Sequence, residues 1–138
     1  MNLGGWFAEK FRPKSLGQRG EDAAERFLRR QGFYILERDV RSRLGELDLV
    51  AADGRTVVFI EVKTRSSNAA GRPVEAVDDQ KQRRITRAAL GYLKARGLLE
   101  HAARFDVVSV HWPQSSRRPT IEHYRNAFPA VGEGHMFG

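Results

Sequence analysis

Residues 45–65, GELDLVAADGRTVVFIEVKTR, set Glu46, Asp48, Glu61 and Lys63 into stretches otherwise rich in Leu, Val, Ile and Phe. Carboxylates gathered in a partly buried place lose hydration and repel one another, so they need a shared proton or a counter-charge. Lys63 supplies one positive charge and leaves two negatives unmatched. A hard divalent cation with oxygen ligands, Mg²⁺ or Mn²⁺, fits both the deficit and the ligand chemistry. Solvent-facing charge explains any one of these residues; it explains four on one face poorly.

The segments that carry them read as a hairpin. Asp53-Gly54 is a turn signal, and as a two-residue turn it sets Glu46 across from Glu61 and Asp48 across from Phe59. Side chains alternate along a strand, so Leu47, Leu49, Ala51, Val58, Ile60 and Val62 share one apolar face. The opposite face holds Val50, Val57 and Phe59 near the turn and Asp48, Glu46, Glu61 and Lys63 at the open end. A three-residue loop would flip one strand and spoil the apolar face.

Elements on either side supply further groups. GQRGEDAAERFLRRQG has helical spacing, with Ala23, Ala24, Phe27 and Leu28 in one stripe and Gly32 as its stop. Glu21 lies at the edge of that stripe, able to lean toward the sheet or to sit as a favourable first-turn carboxylate; Asp22, Arg26 and Arg29 point away. FYILERDVR reads as the first strand. A second helix, from about Val77 to Arg96, carries Ile85, Ala88, Ala89, Tyr92 and Leu93, with Lys81 at the head of the stripe. That lysine either snorkels to solvent or reaches a phosphate at the open end of the sheet. Arg83, Arg84 and Arg87 flank it. RFDVVSVHW is a fourth strand, and TIEHYRNAF a fifth short strand or an extended tail. The order α-β-β-β-α-β indicates a mixed sheet flanked by helices. Residues 1–14 read as a leader, 66–73 as a polar loop and 129–138 as a tail, around one domain spanning 15–128.

Composition narrows the functions. The 138 residues are 41% hydrophobic and 30% charged, ordinary for a globular chain. Without cysteine, disulfide scaffolds, thiol catalysis and cysteine zinc sites are excluded, and the four histidines lack ligand spacing. No apolar run reaches the length of a membrane span and the N-terminus lacks a secretory stretch, so a cytoplasmic protein is expected. The net charge of +7 and the pI near 10.4 point to a polyanionic partner, with nucleic acid foremost. Arg38, Arg41, Arg43, Arg65, Arg83 and Arg84 supply the charge for it.

An Asp followed thirteen residues later by Glu-x-Lys (Asp48, Glu61, Val62, Lys63) resembles the core of the PD-(D/E)xK nuclease superfamily. GQRGEDAAERFLRRQGF is similar to the first helix of the archaeal Holliday-junction resolvases, whose glutamate matches Glu21. GEDAA, GELDLV, FIEVKTR, RFDVVSV and RNAF together resemble the bacterial YraN-type family (UPF0102) over residues 15 to 128. The resemblance implies a restriction-endonuclease-like α/β fold and metal-dependent phosphodiester cleavage, on branched or structured DNA, by a homodimer. It implies Asp48 and Glu61 as ligands of Mg²⁺ or Mn²⁺, Lys63 as the catalytic lysine and Glu21 as an auxiliary ligand. Leu47 stands where proline often precedes the aspartate, and Glu46 is an additional acid that replaces or supplements a ligand. Arg41, Arg43, Arg65, Lys81 and Arg84 are the expected nucleic-acid contacts.

A structure-selective endonuclease, a nucleic-acid-binding adaptor with a weak or silent site, and a partner-binding protein with incidental charge remain the three function classes. Both nucleic-acid classes share one expected outcome. DNA binding should weaken with salt along a log–log slope on the order of four to eight, read from filter binding or anisotropy titrations at several salt concentrations. Salt-insensitive binding would exclude both.

Overall fold

The computed structural model describes residues 13–66, 77–113 and 116–131. Most of the leader, the loop over 66–73 and most of the tail thus lie outside the described residues. The elements run α1 (Leu16–Arg30), β1 (Tyr34–Ser42), β2 (Gly45–Asp53), β3 (Thr56–Ser66), α2 (Asp79–Ala95), β4 (Ala103–Trp112) and β5 (Thr120–Phe128). The five strands form one sheet in the order β1-β2-β3-β4-β5. All neighbours are antiparallel except β3 and β4, which run parallel because α2 carries the chain back across the sheet. The segment left open as strand or tail is the edge strand β5, which the expected element order lacked.

Each helix starts where its sequence provides a cap. Ser15 accepts the backbone N–H of Gln18 while the Gln18 side chain accepts that of Ser15, a reciprocal capping box for α1. Asp78 caps α2 by accepting the Lys81 N–H at 2.8 Å. The helices cover opposite faces. Ala23, Ala24 and Leu28 of α1 pack on Leu49, Ala51, Val58, Ile60, Val108 and Val110. Ile85, Ala88, Ala89, Tyr92 and Leu93 of α2 pack on Leu47, Val50, Val57, Phe59, Phe105 and Val107.

The hairpin differs from its sequence-based register. Asp53 pairs with Thr56 and Val50 with Phe59, so Gly54 and Arg55 form the turn. Gly54 has a φ of 60°, which favours glycine there. The two-residue shift is even, so most side chains keep their faces while every facing pair changes. Glu46 is therefore not opposite Glu61. The ladder ends at Leu49 and Ile60. Beyond it β2 parts from β3, and Leu47 joins the α2 side of the core rather than the face it was expected to share with Leu49.

Helix α1 meets β3 closely at Gly20. A Cβ built there would lie 1.9 Å from Thr64 Oγ1 and 2.8 Å from Thr64 Cβ, closer than side-chain rotation alone can relieve. Gly20→Ala should destabilise the protein by about 1–3 kcal/mol, measured as a lower urea midpoint at unchanged slope. An unchanged midpoint would mean that α1 can shift without cost.

Candidate functional site

Asp48 sits where the hairpin ladder stops. The Val62 N–H points to the β2 side, and Asp48 Oδ2 accepts it at 2.9 Å. One step past the last pair, this sets Asp48 across from Glu61, close enough for their carboxyls to share a hydrogen bond. Burial first, then the Glu61 charge and that hydrogen bond, push Asp48 up to about 7; the Val62 N–H pulls the other way. More distant Glu21 adds to the rise.

Two lysines face the pair. Lys63 Nζ lies 3.6 Å and Lys81 Nζ 2.6 Å from Glu61 Oε1, a carboxylate whose side chain is only 10% exposed. Burial and the neighbouring Lys81 lower the pKa of Lys63, against the pull of Glu61. Burial also acts to lower Lys81, but its hydrogen bonds to Glu61 and Lys63 outweigh it and raise the pKa. The Asp78 cap fixes the turn that carries Lys81. Gly45, at a φ of 143°, brings the start of β2 against α2, where a Cβ would stand 3.5 Å from Ala88 Cβ and from the Arg84 carbonyl. Between them opens a cavity of about 370 Å³ lined by Gly45, Glu46, Asp48, Glu61, Lys81, Arg84 and Ile85.

The remaining expected residues are spread around this centre. Glu46 lines the cavity, but its side chain is 71% exposed and 3.9 Å from Arg41 Nε, apart from the Asp48–Glu61 contact. Glu21 is largely covered, hydrogen-bonded to Asp39 and 3.9 Å from Arg38. Burial and Asp39 push its pKa up to about 7 while Arg38 opposes them. Arg41 and Arg43 are exposed around the β1–β2 turn, and Arg65 lies beyond Lys63 on the same strand. Arg38 is not a free phosphate contact: it pairs with Asp22 at 2.7 Å and approaches Glu21, Glu25 and Asp39 at 3.9 Å. Asp22 therefore does not point away, but is held by Arg38 and by Lys14 at 2.7 Å.

Asp39 is the residue that sequence reasoning missed. It falls between the pairs Arg38–Leu49 and Val40–Leu47, hence opposite Asp48, with a φ of 52° that aspartate tolerates better than most residues. A register shift between Ile35 and Glu37 sets this alignment, and no local sequence signal encodes it.

Among the described residues no three acidic or histidine side chains converge into a ready-made cation cage. The donor set nonetheless suits Mg²⁺ or Mn²⁺, because such ions are commonly held by one or two carboxylates with water and substrate oxygens completing the shell. Asp48 and Glu61 provide that minimal pair, and a dication would relieve the repulsion that raises the Asp48 pKa.

Residues 20–110 match the model of the uncharacterised protein family UPF0102. A UPF0102 protein of Rhodopirellula baltica is 50% identical over 126 residues, covering 89% of this chain and 75% of its own. A UPF0102 protein of Geobacter metallireducens is 50% identical over 115 residues, 83% of this chain and 93% of that protein. One from Moorella thermoacetica is 48% identical over 112 residues, 81% and 93% of the two chains. The matched span runs from Gly20 at the α1–β3 contact through Asp48, Glu61, Lys63 and Lys81 into β4, and the chain belongs to the UPF0102 family.

Proposed function

We propose that this protein is a metal-dependent endonuclease that hydrolyses phosphodiester bonds of DNA, on a restriction-endonuclease-like fold, with branched or structured DNA as its substrate class. The contact between Asp48 and Glu61, flanked by two lysines at the wall of an open cavity, carries this reading. A pure binding surface for polyanions has no use for carboxylates facing the phosphates.

A divalent cation held by Asp48 and Glu61 would supply Lewis-acid polarisation of the scissile phosphate and a lower pKa for the attacking water. The chain does the rest. The Val62 N–H holds one Asp48 oxygen, so the carboxylate is oriented before anything binds. Lys63, whose proton is loosened by burial, holds or passes a proton at Nζ beside the attacking water. Lys81 remains an ammonium and offsets phosphate charge, with Arg84 next to it on the cavity wall. Arg41, Arg43, Arg65 and the exposed Arg83 and Arg87 are placed to follow the backbone outward. A homodimer would bring two such sites to two strands. One observation favours the adaptor reading instead: Lys81 already neutralises part of the acidic pair.

Labelled single strand, duplex, flap and four-way junction, incubated with Mg²⁺, Mn²⁺ or EDTA, separate the two. Metal-dependent cleavage is expected, slowed by roughly 10²- to 10⁴-fold in Lys63→Ala. In Asp48→Asn cleavage should vanish while DNA binding is kept or improved. Binding without cleavage under every metal selects the adaptor, and loss of binding in Asp48→Asn would make that residue structural.

The raised pKa values also fix a pH dependence in metal-free protein. Below about pH 4, Asp48 is protonated in folded and unfolded chains alike. As pH rises toward 7 the folded chain keeps a proton that the unfolded chain releases, so this contribution to stability is lost; Glu21 acts in the same direction. Urea unfolding in EDTA should show Asp48→Asn gaining on wild type between pH 4 and 8, by on the order of 1–3 kcal/mol. Parallel stability profiles would mean that Asp48 titrates normally.

A further inference from the structure

Glu61 already has a cation. Lys81 Nζ lies 2.6 Å from Glu61 Oε1, a full ångström nearer than Lys63, and it comes from a separate element whose first turn is pinned by Asp78. An ammonium at that distance occupies part of the carboxylate that a divalent cation would need, and the two charges repel if both stay. The lysine is able to leave. Its side chain is 35% exposed, its stem is flexible, and both it and Glu61 line the cavity of about 370 Å³ with Arg84.

Resting on the reading of Asp48 and Glu61 as a divalent-cation seat, we propose that Lys81 is a built-in competitor for that seat. Without the dication its ammonium holds Glu61 in place and prevents two facing carboxylates from standing unneutralised. When a dication binds, Lys81 is displaced into the cavity, where a phosphodiester oxygen replaces the partner it lost. Substrate and cation then favour one another through this single side chain: a phosphate that draws Lys81 off Glu61 frees the seat, and a cation that expels Lys81 frees an ammonium for phosphate. Linkage makes the two effects equal in size. Lys81 thereby acts on cation and phosphate in turn, unlike Lys63, which shares a strand with Glu61 and lies farther from it.

The test reads cation binding and needs no turnover. Free Mn²⁺ is followed by electron paramagnetic resonance during titration of the full chain as wild type, Lys81→Met, Lys81→Arg and Asp48→Asn. Lys81→Met keeps the apolar stem and removes the charge, and it should bind Mn²⁺ about tenfold more tightly than wild type. Lys81→Arg keeps the charge and should stay within a factor of about two of wild type. Asp48→Asn should lose the site. Equal or weaker binding in Lys81→Met, with Asp48→Asn still losing it, overturns the competition and leaves the cation seat standing. Tightening in Lys81→Arg equal to that in Lys81→Met assigns the effect to lost packing and also overturns it. The lack of any Asp48-dependent binding in both wild type and Lys81→Met removes the seat and the competitor together.

Discussion

The backbone N–H of Val62 is accepted by a side chain, Asp48 Oδ2, at a point where β2 has stopped pairing with β3. A buried N–H that loses its strand partner needs another acceptor, and a carboxylate is among the strongest available. Satisfying it ties Asp48 beside Glu61, at the place where the strands separate. Past that point Gly45 at the start of β2 lies against Ala88 of α2 while β3 continues beside β4, and the cavity lies beside Gly45, Asp48 and Glu61. One hydrogen bond thus holds Asp48 beside Glu61 at the end of the ladder, on the wall of the cavity.

Placing two carboxylates side by side has consequences on both faces of the sheet. On the α2 face Lys63 and Lys81 converge on Glu61. Toward α1, Asp39 stands opposite Asp48 and binds Glu21, and Arg38 draws Glu21, Asp22 and Glu25 into one ionic network. The close approach of Gly20 to Thr64 sets the start of α1 near enough for the Glu21 charge to act on Asp48. Desolvated carboxylates that share protons reduce stability at neutral pH, and such strain gathers where chemistry is done.

How far this was legible follows from which physical rules are local. The apolar stripes of both helices are local patterns, and Ala23, Ala24, Leu28, Ile85, Ala88, Tyr92 and Leu93 are buried as their spacing indicates. Strand alternation is also local, so Val50, Val57 and Phe59 keep their shared face although the turn lies one residue later than Asp53-Gly54 suggests. Pair identities are not local. They depend on where the turn closes, and the shift by two replaced Glu46 with Asp48 as the residue across from Glu61. Leu47 escaped the alternation because the ladder had already ended. Asp39 was hidden by a register shift in β1, and Lys81 could be placed on its stripe but not given its partner.

The sheet contains another aspartate, this one fully buried, and it differs from the half-buried Asp48 in how its carboxylate is satisfied. Asp106 in β4 is fully buried and accepts from Arg104 Nε at 3.0 Å and Nη2 at 3.3 Å, His123 Nε2 at 2.8 Å and the Asn126 N–H at 2.9 Å. Burial acts to raise its pKa, yet these hydrogen bonds outweigh it and hold the carboxyl below the usual carboxylate range. Its donors come from β4 and β5, and Asn126 adopts a φ of 52° in the β5 edge where the register with β4 shifts. Every lone pair has work to do within the fold, and nothing remains for a ligand. Asp48 has one backbone donor, a carboxylate neighbour and an open cavity in front of it. The same residue type, on β2 and on β4 with β3 between them, is a closed brace in one place and a carboxyl facing another carboxyl beside an open cavity in the other. That difference in satisfaction, more than burial or acidity alone, is what the proposed nuclease reading builds on in placing a cation and an anionic substrate at Asp48 and Glu61.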